Sequence, residues 1–326
     1  MQILSAVERA LRPVLHLNGL ESRWVTTRVT RQHLYDARGR GALPPVVILH
    51  GISSAATPFA SVIRRLRPHV TRVLAPDGPA HGFSEDPREA LTAQSYFDST
   101  AELLDRELNE PAVIVGNSLG GAMAIKYALE RPERVKGLFL ASPAGAAMTP
   151  EDFQSFLARF DLKKRDDALT FLRRLYHRYP WFAPIIAPEI QRLFAREHIR
   201  SLTAAVTTDD LFTPERLAAL AMPLHLVWGR SDRLMPPENL AFYKRHLPAH
   251  ATVEEPEGFG HCPHLDAPAR FAATILAFVE RVARDEGAPR ERADDTNEAT
   301  AAKRPGAPRD LEPSAAIKTG SARTSP

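Results

Sequence analysis

The chain has 326 residues, enough for one large α/β domain or two ordinary ones. Hydrophobic residues make up 44% and charged residues 25%, an ordinary globular composition. The formal net charge is only +3, from 42 basic and 39 acidic residues with no dense basic block, which excludes a case for nucleic acid.

Residues 3–15 place Ile3, Leu4, Val7, Leu11, Val14 and Leu15 at helical spacing. Residues 1–22 therefore read as an N-terminal helical segment. Its polar face is of mixed sign, which favours a short helix packed on the body over an interfacial membrane anchor. Glu8, Arg9 and Arg12 interrupt any signal-peptide core. No run of about 18 apolar residues occurs, so no stable membrane insertion is expected. The lone cysteine, Cys262, rules out a disulfide within the chain, and a cytoplasmic location is expected.

From residue 23 onward, strand-like runs recur at Trp24–Val29, Gln32–Ala37, Val46–His50, Val70–Ala75, Ala112–Gly116, Val135–Ala141, Leu224–Trp228 and Ala251–Glu254. Helical patterns fill most of the gaps, at Pro58–Leu66, Ala93–Leu108, Leu119–Glu130, Glu238–His246 and Ala267–Arg284. Several runs (VVIL, AVIV, LFLA, LHLVW) are apolar throughout, as strands covered on both faces are. The expected fold is α/β: a mostly parallel sheet of about eight strands with helices on both faces. The first two runs read as an antiparallel edge.

Residues 144–221 break the rhythm. They hold helical patterns only, with Thr149-Pro150 and Thr213-Pro214 as N-cap and first-turn pairs. This interval reads as a helical insertion dividing a core of residues 23–143 and 222–284. From Asp285 to the end there is no aromatic residue, and Leu311 and Ile317 are the only large aliphatics. Such a segment buries too little apolar surface to offset its ordering entropy, so 285–326 is expected to be a disordered tail.

Within VIVGNSLGGA at 113–122, Gly116-Asn117-Ser118-Leu119-Gly120 is G-x-S-x-G between a β-branched run and a helical one. A serine on a tight strand-to-helix turn needs small residues two before and two after it. The turn lifts the hydroxyl from the sheet and aims a helix N-terminus at the site. A serine hydroxyl needs a base to act as a nucleophile. His261 lies in the Gly/Pro loop EGFGHCPH after the last strand, at the sheet edge where Ser118 sits. His264 shares that loop and is the rival, with a local hydrogen bond near the last helix as its other reading. Asp232, in the turn GRSDRLMPP after Leu224–Trp228, is the candidate to orient the histidine. Ser118, Asp232 and His261 follow one another in the order of an α/β-hydrolase triad. His50-Gly51-Ile52-Ser53 follows the strand Val46–Leu49. The backbone N–H groups of Ile52 and Leu119 are the expected oxyanion donors, with the His50 side chain left to shape its loop.

HG at 50–51, PDGPAHGFS at 76–84, GNSLGG at 116–121, WGRSDRLMPP at 228–237 and GHCPHLDAP at 260–268 together resemble the α/β-hydrolase superfamily over residues 23–284. The resemblance implies that 144–221 is the family's cap, that Asp77 and His81-Gly82 are structural, and that His261 is the base. VGNSLGGAMAIKYALERPERV resembles both carboxylesterases and meta-cleavage-product C–C hydrolases. HGISSAATP in place of an HGxGPG-like loop, and Cys262 where the C–C enzymes carry Trp, turn the reading toward an esterase. A serine hydrolase without cofactor or metal is therefore expected, cleaving an ester or similar acyl bond of a small apolar substrate. Phe153, Phe156, Phe160, Trp181 and Phe182 are the candidates to line its pocket. The alternatives are C–C hydrolysis of a dienone acid, or a catalytically silent receptor or scaffold.

Overall fold

Eight strands form one sheet in the order β1-β2-β4-β3-β5-β6-β7-β8. The computed structural model describes residues 3–287, and the tail expected beyond them lies outside the described residues. The strands are β1 (Glu21–Thr26), β2 (Arg31–Arg38), β3 (Val46–Leu49), β4 (Arg72–Pro76), β5 (Ala112–Asn117), β6 (Val135–Ala141), β7 (Leu224–Val227) and β8 (Thr252–Glu254). β1 and β2 pair antiparallel, as do β2 and β4, and every other pairing is parallel.

The first strand ends three residues earlier than its apolar run. Thr27 N and Oγ1 both donate to the Thr30 carbonyl at 2.9 and 2.8 Å, closing the hairpin before Val29. Likewise Val70 still donates to Leu66 of the preceding helix, so β4 begins only at Arg72.

The chain-order helices are α1 (Ile3–Leu17), α2 (Ala60–Leu66), α3 (Ala93–Glu107), α4 (Leu119–Glu130), α5 (Pro150–Leu157), α6 (Arg165–Leu175), α7 (Ala183–Phe194), α8 (Glu197–Ala205), α9 (Pro214–Ala218), α10 (Pro237–His246), α11 (Pro263–Asp266) and α12 (Pro268–Gly287). The last helix runs three residues past the boundary expected at 284. None of the helices is long and apolar enough to cross a membrane, among the described residues.

The continuous apolar runs are explained by the two core layers. Val46, Ile48, Val113, Val115 and Phe139 belong to the layer shared with α2 and α12, whose Phe271, Ile275, Phe278 and Val282 recur at helical spacing. Val47, Leu49, Ile114, Leu138 and Leu140 belong to the layer shared with α3 and α4. Alternate residues of one strand thus meet opposite helical layers, and no position is left for a polar side chain.

Between β6 and β7 the five helices α5–α9 form the insertion. Thr149 and Thr213 accept hydrogen bonds from the backbone N–H groups of Asp152 and Arg216 at 3.2 and 3.4 Å, capping α5 and α9. Its interior is aromatic: Phe156, Phe160, Phe171 and Phe194 meet ring to ring at 4.9–6.0 Å. These helices stand at the carboxyl ends of the parallel strands and enclose what lies there.

Candidate active site

Ser118 joins the central strand β5 to α4 in a left-handed conformation, with φ 55° and ψ −120°. A side chain pays strain in that region, and it persists only where surrounding structure imposes it. The flanking glycines make the turn possible. A Cβ on Gly116 would overlap the Gly120 carbonyl, and one on Gly120 would overlap the Leu49 carbonyl of β3. The spacing seen in the sequence is therefore a packing requirement of helix against strand. Ser53 and Ser142, at φ 54° and 43°, are strained in the same way on the neighbouring loops after β3 and β6.

The two expected amide donors stand ready. Neither Ile52 N–H nor Leu119 N–H donates a hydrogen bond among the described residues. Leu119 is the first residue of α4, so its N–H is one of the unpaired donors of a helix N-terminus. Ile52 and Ser118 line two cavities in common, and Leu119 lines one of them.

Asp232 sits in the turn after β7 and His261 in the loop after β8. His261 Nδ1 and Asp232 Oδ2 are 2.8 Å apart, with both side chains buried. The other carboxylate oxygen accepts from Leu234 N at 2.9 Å and Met235 N at 3.1 Å. Burial alone would raise the Asp232 pKa, but the His261 ring and the donors around the carboxylate outweigh it and hold the group below its ordinary value. An ionised acid on Nδ1 leaves Nε2 as the free proton acceptor. His261 is fixed from behind as well: its N–H donates to the Leu175 carbonyl at 2.7 Å, and its own carbonyl accepts from Asn117 Nδ2 at 3.0 Å. Asn117 Nδ2 also donates to the Ala141 carbonyl at 3.0 Å. His261 and Ser118 face a common cavity.

His264, the rival histidine, has a different surrounding. It is buried on α11, stacked on Phe59 with ring centroids 3.8 Å apart, and neither ring nitrogen has a hydrogen-bond partner among the described residues. The local hydrogen bond expected for it is absent because the ring lies flat on an aromatic face. Burial, with the nearby His261 and His50, lowers its pKa to about 3.

His50 acts through its side chain on the loop, not on the serine. Its Nε2 accepts from Gly78 N at 2.9 Å and its Nδ1 donates to the Gly51 carbonyl at 2.8 Å, which defines one neutral tautomer. Asp77 is wholly buried and accepts from Ala56 N, Phe83 N and His33 Nδ1 at 2.7–2.9 Å, tying the loop after β3 to the loop after β4. His81 is buried over the same region, lined up edge-on with Tyr96.

The two cavities meet at Ser118. One, of about 350 Å³, is walled by Phe153, Phe156 and Phe160 and ends at a polar mouth with Lys126, Asp209 and Arg216. The other, of about 430 Å³, runs between the histidine loop, α6, α7 and α1, with Phe160 and Phe182 in its wall. Four of the five expected aromatics thus line a cavity. Trp181 does not: it is 83% exposed. It precedes Phe182, which is 36% exposed and lines the second cavity, in the turn entering α7.

Three contributors escape sequence reading. Leu4, Val7, Glu8 and Leu11 of α1 line the second cavity, so the N-terminal helix is part of the site. Burial, with the Asp77 and Glu189 charges, pushes the Glu8 carboxyl up to about 7. The Ser53 hydroxyl, beside the Ile52 amide, lines the same cavity and has no partner among the described residues. Only the helical stripe of α1 was visible beforehand, and a stripe does not say what it packs against.

Comparison with known proteins places this arrangement. The chain is 30% identical over 260 residues to the pimeloyl-[acyl-carrier protein] methyl ester esterase of Nitrosospira multiformis, covering 75% of this chain and 97% of that protein. It is 26% identical over 297 residues to the 2-hydroxy-6-oxononadienedioate/2-hydroxy-6-oxononatrienedioate hydrolase of Burkholderia vietnamiensis, covering 82% and 99%. Among solved structures, a bacterial membrane phospholipase A superposes with a TM-score of 0.74 at 20% identity, over 86% of this chain and 93% of that one, a likeness of fold. The model of the alpha/beta hydrolase family matches residues 46–274, spanning the strand that carries Ser118, the helical insertion and both loops of the Asp232–His261 pair. By that match, and by the sheet order and site geometry that accompany it, the chain belongs to the alpha/beta hydrolase family.

Proposed function

We propose that this hydrolase cleaves a carboxylic ester or similar acyl bond through an acyl-enzyme on Ser118. The observation that carries the reading is the left-handed Ser118 at the head of α4, facing one cavity with a histidine bound to a buried aspartate. Ser118 Oγ attacks the carbonyl while His261 Nε2 takes its proton. The carbonyl oxygen becomes an oxyanion between the Ile52 and Leu119 amides, whose N–H groups have no other partner to give up among the described residues. His261 returns the proton to the leaving oxygen, and Asp232 stabilises the imidazolium in between. Water then repeats the sequence on the acyl-enzyme with His261 as base.

The cavity walls favour an apolar substrate, because aromatic and aliphatic side chains dominate them near Ser118. The kinship to a dienone-acid hydrolase raises the C–C reading. That chemistry needs a cation for the substrate carboxylate, and two of the three Lys or Arg side chains along the walls are already engaged, while Arg216 lies over the Phe212 ring at the mouth. Arg196 donates to the Ala80 carbonyl and pairs with Asp86, and Lys126 donates to Gln94. The ester reading is the better supported.

The test is a series of p-nitrophenyl esters of increasing acyl length, run beside a dienone acid with wild type and Ser118→Ala. Ester turnover that vanishes in the variant supports the proposal. Dienone cleavage without ester turnover transfers the site to C–C hydrolysis. Absence of both supports the silent receptor or scaffold.

A further inference from the structure

α1 is amphipathic in an unusual direction. Leu4 and Leu15 pack toward the body, while Val7, Leu11, Val14 and Leu17 are exposed, Leu17 by 85%. Val7, Leu11 and Val14 fall on one stripe of the helix. Val7 and Leu11 also line the cavity that reaches Ser118 and His261, so the stripe runs from the inside of the cavity out onto the surface. Across the mouth, Phe182 lines the same cavity, with the Trp181 ring against it at 5.8 Å and Ile185 exposed on the next turn. Apolar side chains on both lips of one opening form a patch of the kind that marks an interaction site.

Charge surrounds the far end of the stripe. Two surface hollows beside His16 and Leu17 are lined by Arg9, Arg12, Arg40, Arg64 and Arg67 and, among the described residues, by no acidic side chain. Arg9, Arg40 and Arg64 form no ion pair among the described residues. An apolar ridge with a basic collar fits the boundary between acyl chains and anionic headgroups. A protein partner seated here would close the opening, whereas a lipid surface leaves it facing acyl chains.

We propose that this face docks on an anionic lipid surface, with the α1 stripe and Trp181 entering the acyl boundary and the cavity mouth opening toward it. The docking is peripheral and concerns binding whether or not the hydrolytic reading holds.

The experiment is co-sedimentation of the full chain with phosphatidylcholine vesicles, with and without phosphatidylglycerol, together with tryptophan emission. The chain has three tryptophans, and Trp228 is buried while Trp24 lies under the Arg12 guanidinium. Trp181 is therefore the reporter. Wild type should sediment with the anionic vesicles and shift its emission to the blue, and Trp181→Phe should lose the shift. Val14→Ser with Leu17→Ser should weaken binding by about tenfold or more, because two apolar side chains no longer leave water. Arg40→Gln with Arg64→Gln should reduce the preference for phosphatidylglycerol. These surface replacements leave the core intact, which circular dichroism checks. Wild type that stays in solution with both vesicle types overturns the proposal. So does binding that is indifferent to the apolar replacements, or a solution dimer that the Val14→Ser, Leu17→Ser pair converts to monomer, since a second copy would then cover the stripe.

Discussion

The side-chain amide of Asn117 donates to the His261 carbonyl at 3.0 Å and to the Ala141 carbonyl at the same distance. One residue before the serine thus holds three chain segments in register: the turn after β5, the end of β6 and the histidine loop. Asn117→Ala removes both bonds: the His261 carbonyl loses its partner among the described residues, while the Ala141 carbonyl keeps only the Ser118 N–H at 3.2 Å. The expected result is a kcat lower by roughly 10- to 100-fold, as a small displacement of the base from the serine produces, with KM changed much less. Steady-state kinetics on an ester substrate check it. Equal loss in both parameters would assign Asn117 to substrate contact instead.

His261 and His264 separate by the same logic. His261→Ala should reduce kcat by orders of magnitude, and Asp232→Asn by about 10⁴-fold, since proton transfer and imidazolium stabilisation matter only in the transition state. His264→Leu should keep most of the activity. Kinetics of the three variants, with circular dichroism to confirm folding, decide between the two histidines.

His264 has its effect on stability. Its pKa falls from an ordinary 6.5 to about 3 in the folded protein, because burial on Phe59 opposes the charged form. The unfolded chain therefore binds a proton between those values that the folded chain does not. Stability is full above the unfolded value and declines as pH falls from 6.5 toward 3. The loss from this one group is about 2 kcal/mol by about pH 5. Denaturant unfolding at neutral and mildly acid pH should show a shallower decline in His264→Leu than in wild type.

Glu8 carries the opposite sign. Its carboxyl is raised from 4.5 to about 7, so the folded state keeps a proton that the unfolded state releases. Its contribution is full below the unfolded value and is lost as pH rises through about 7. Glu8→Gln should leave the melting temperature nearly unchanged in acid and raise it in mild alkali. Melting curves across that range check it, and an equal effect at all pH values would mean that the carboxyl does not titrate there.

The strands and the serine turn were legible because each follows from a local rule. VVIL and AVIV leave no polar position, so both faces must be covered, and Gly116 and Gly120 stand where helix meets strand without room for a Cβ. Asp232 and His261 are turn residues whose local sequence does not distinguish them from capping or surface residues. Chain order and resemblance selected them. What stayed hidden depends on contacts between distant segments. The aromatics of 144–221 were recognisable as helical, but nothing local separates Phe182, which lines the cavity that α1 also lines, from the exposed Trp181 beside it. Glu8 is an ordinary surface-helix residue by sequence, and its raised pKa arises from burial and from Asp77 and Glu189, far away in the chain. Asn117 occupies an unspecified position of G-x-S-x-G, and nothing local in that motif implies that its amide reaches residue 261.

Covalent labelling distinguishes Ser118 from every other serine as the nucleophile. Wild type and Ser118→Ala are treated with a fluorophosphonate probe, and the adduct is located by peptide mass spectrometry. Wild type should carry one adduct, on the Ser118 hydroxyl, formed more slowly in His261→Ala and absent in Ser118→Ala. An adduct on another serine, or ester turnover that survives Ser118→Ala, would place the nucleophile elsewhere.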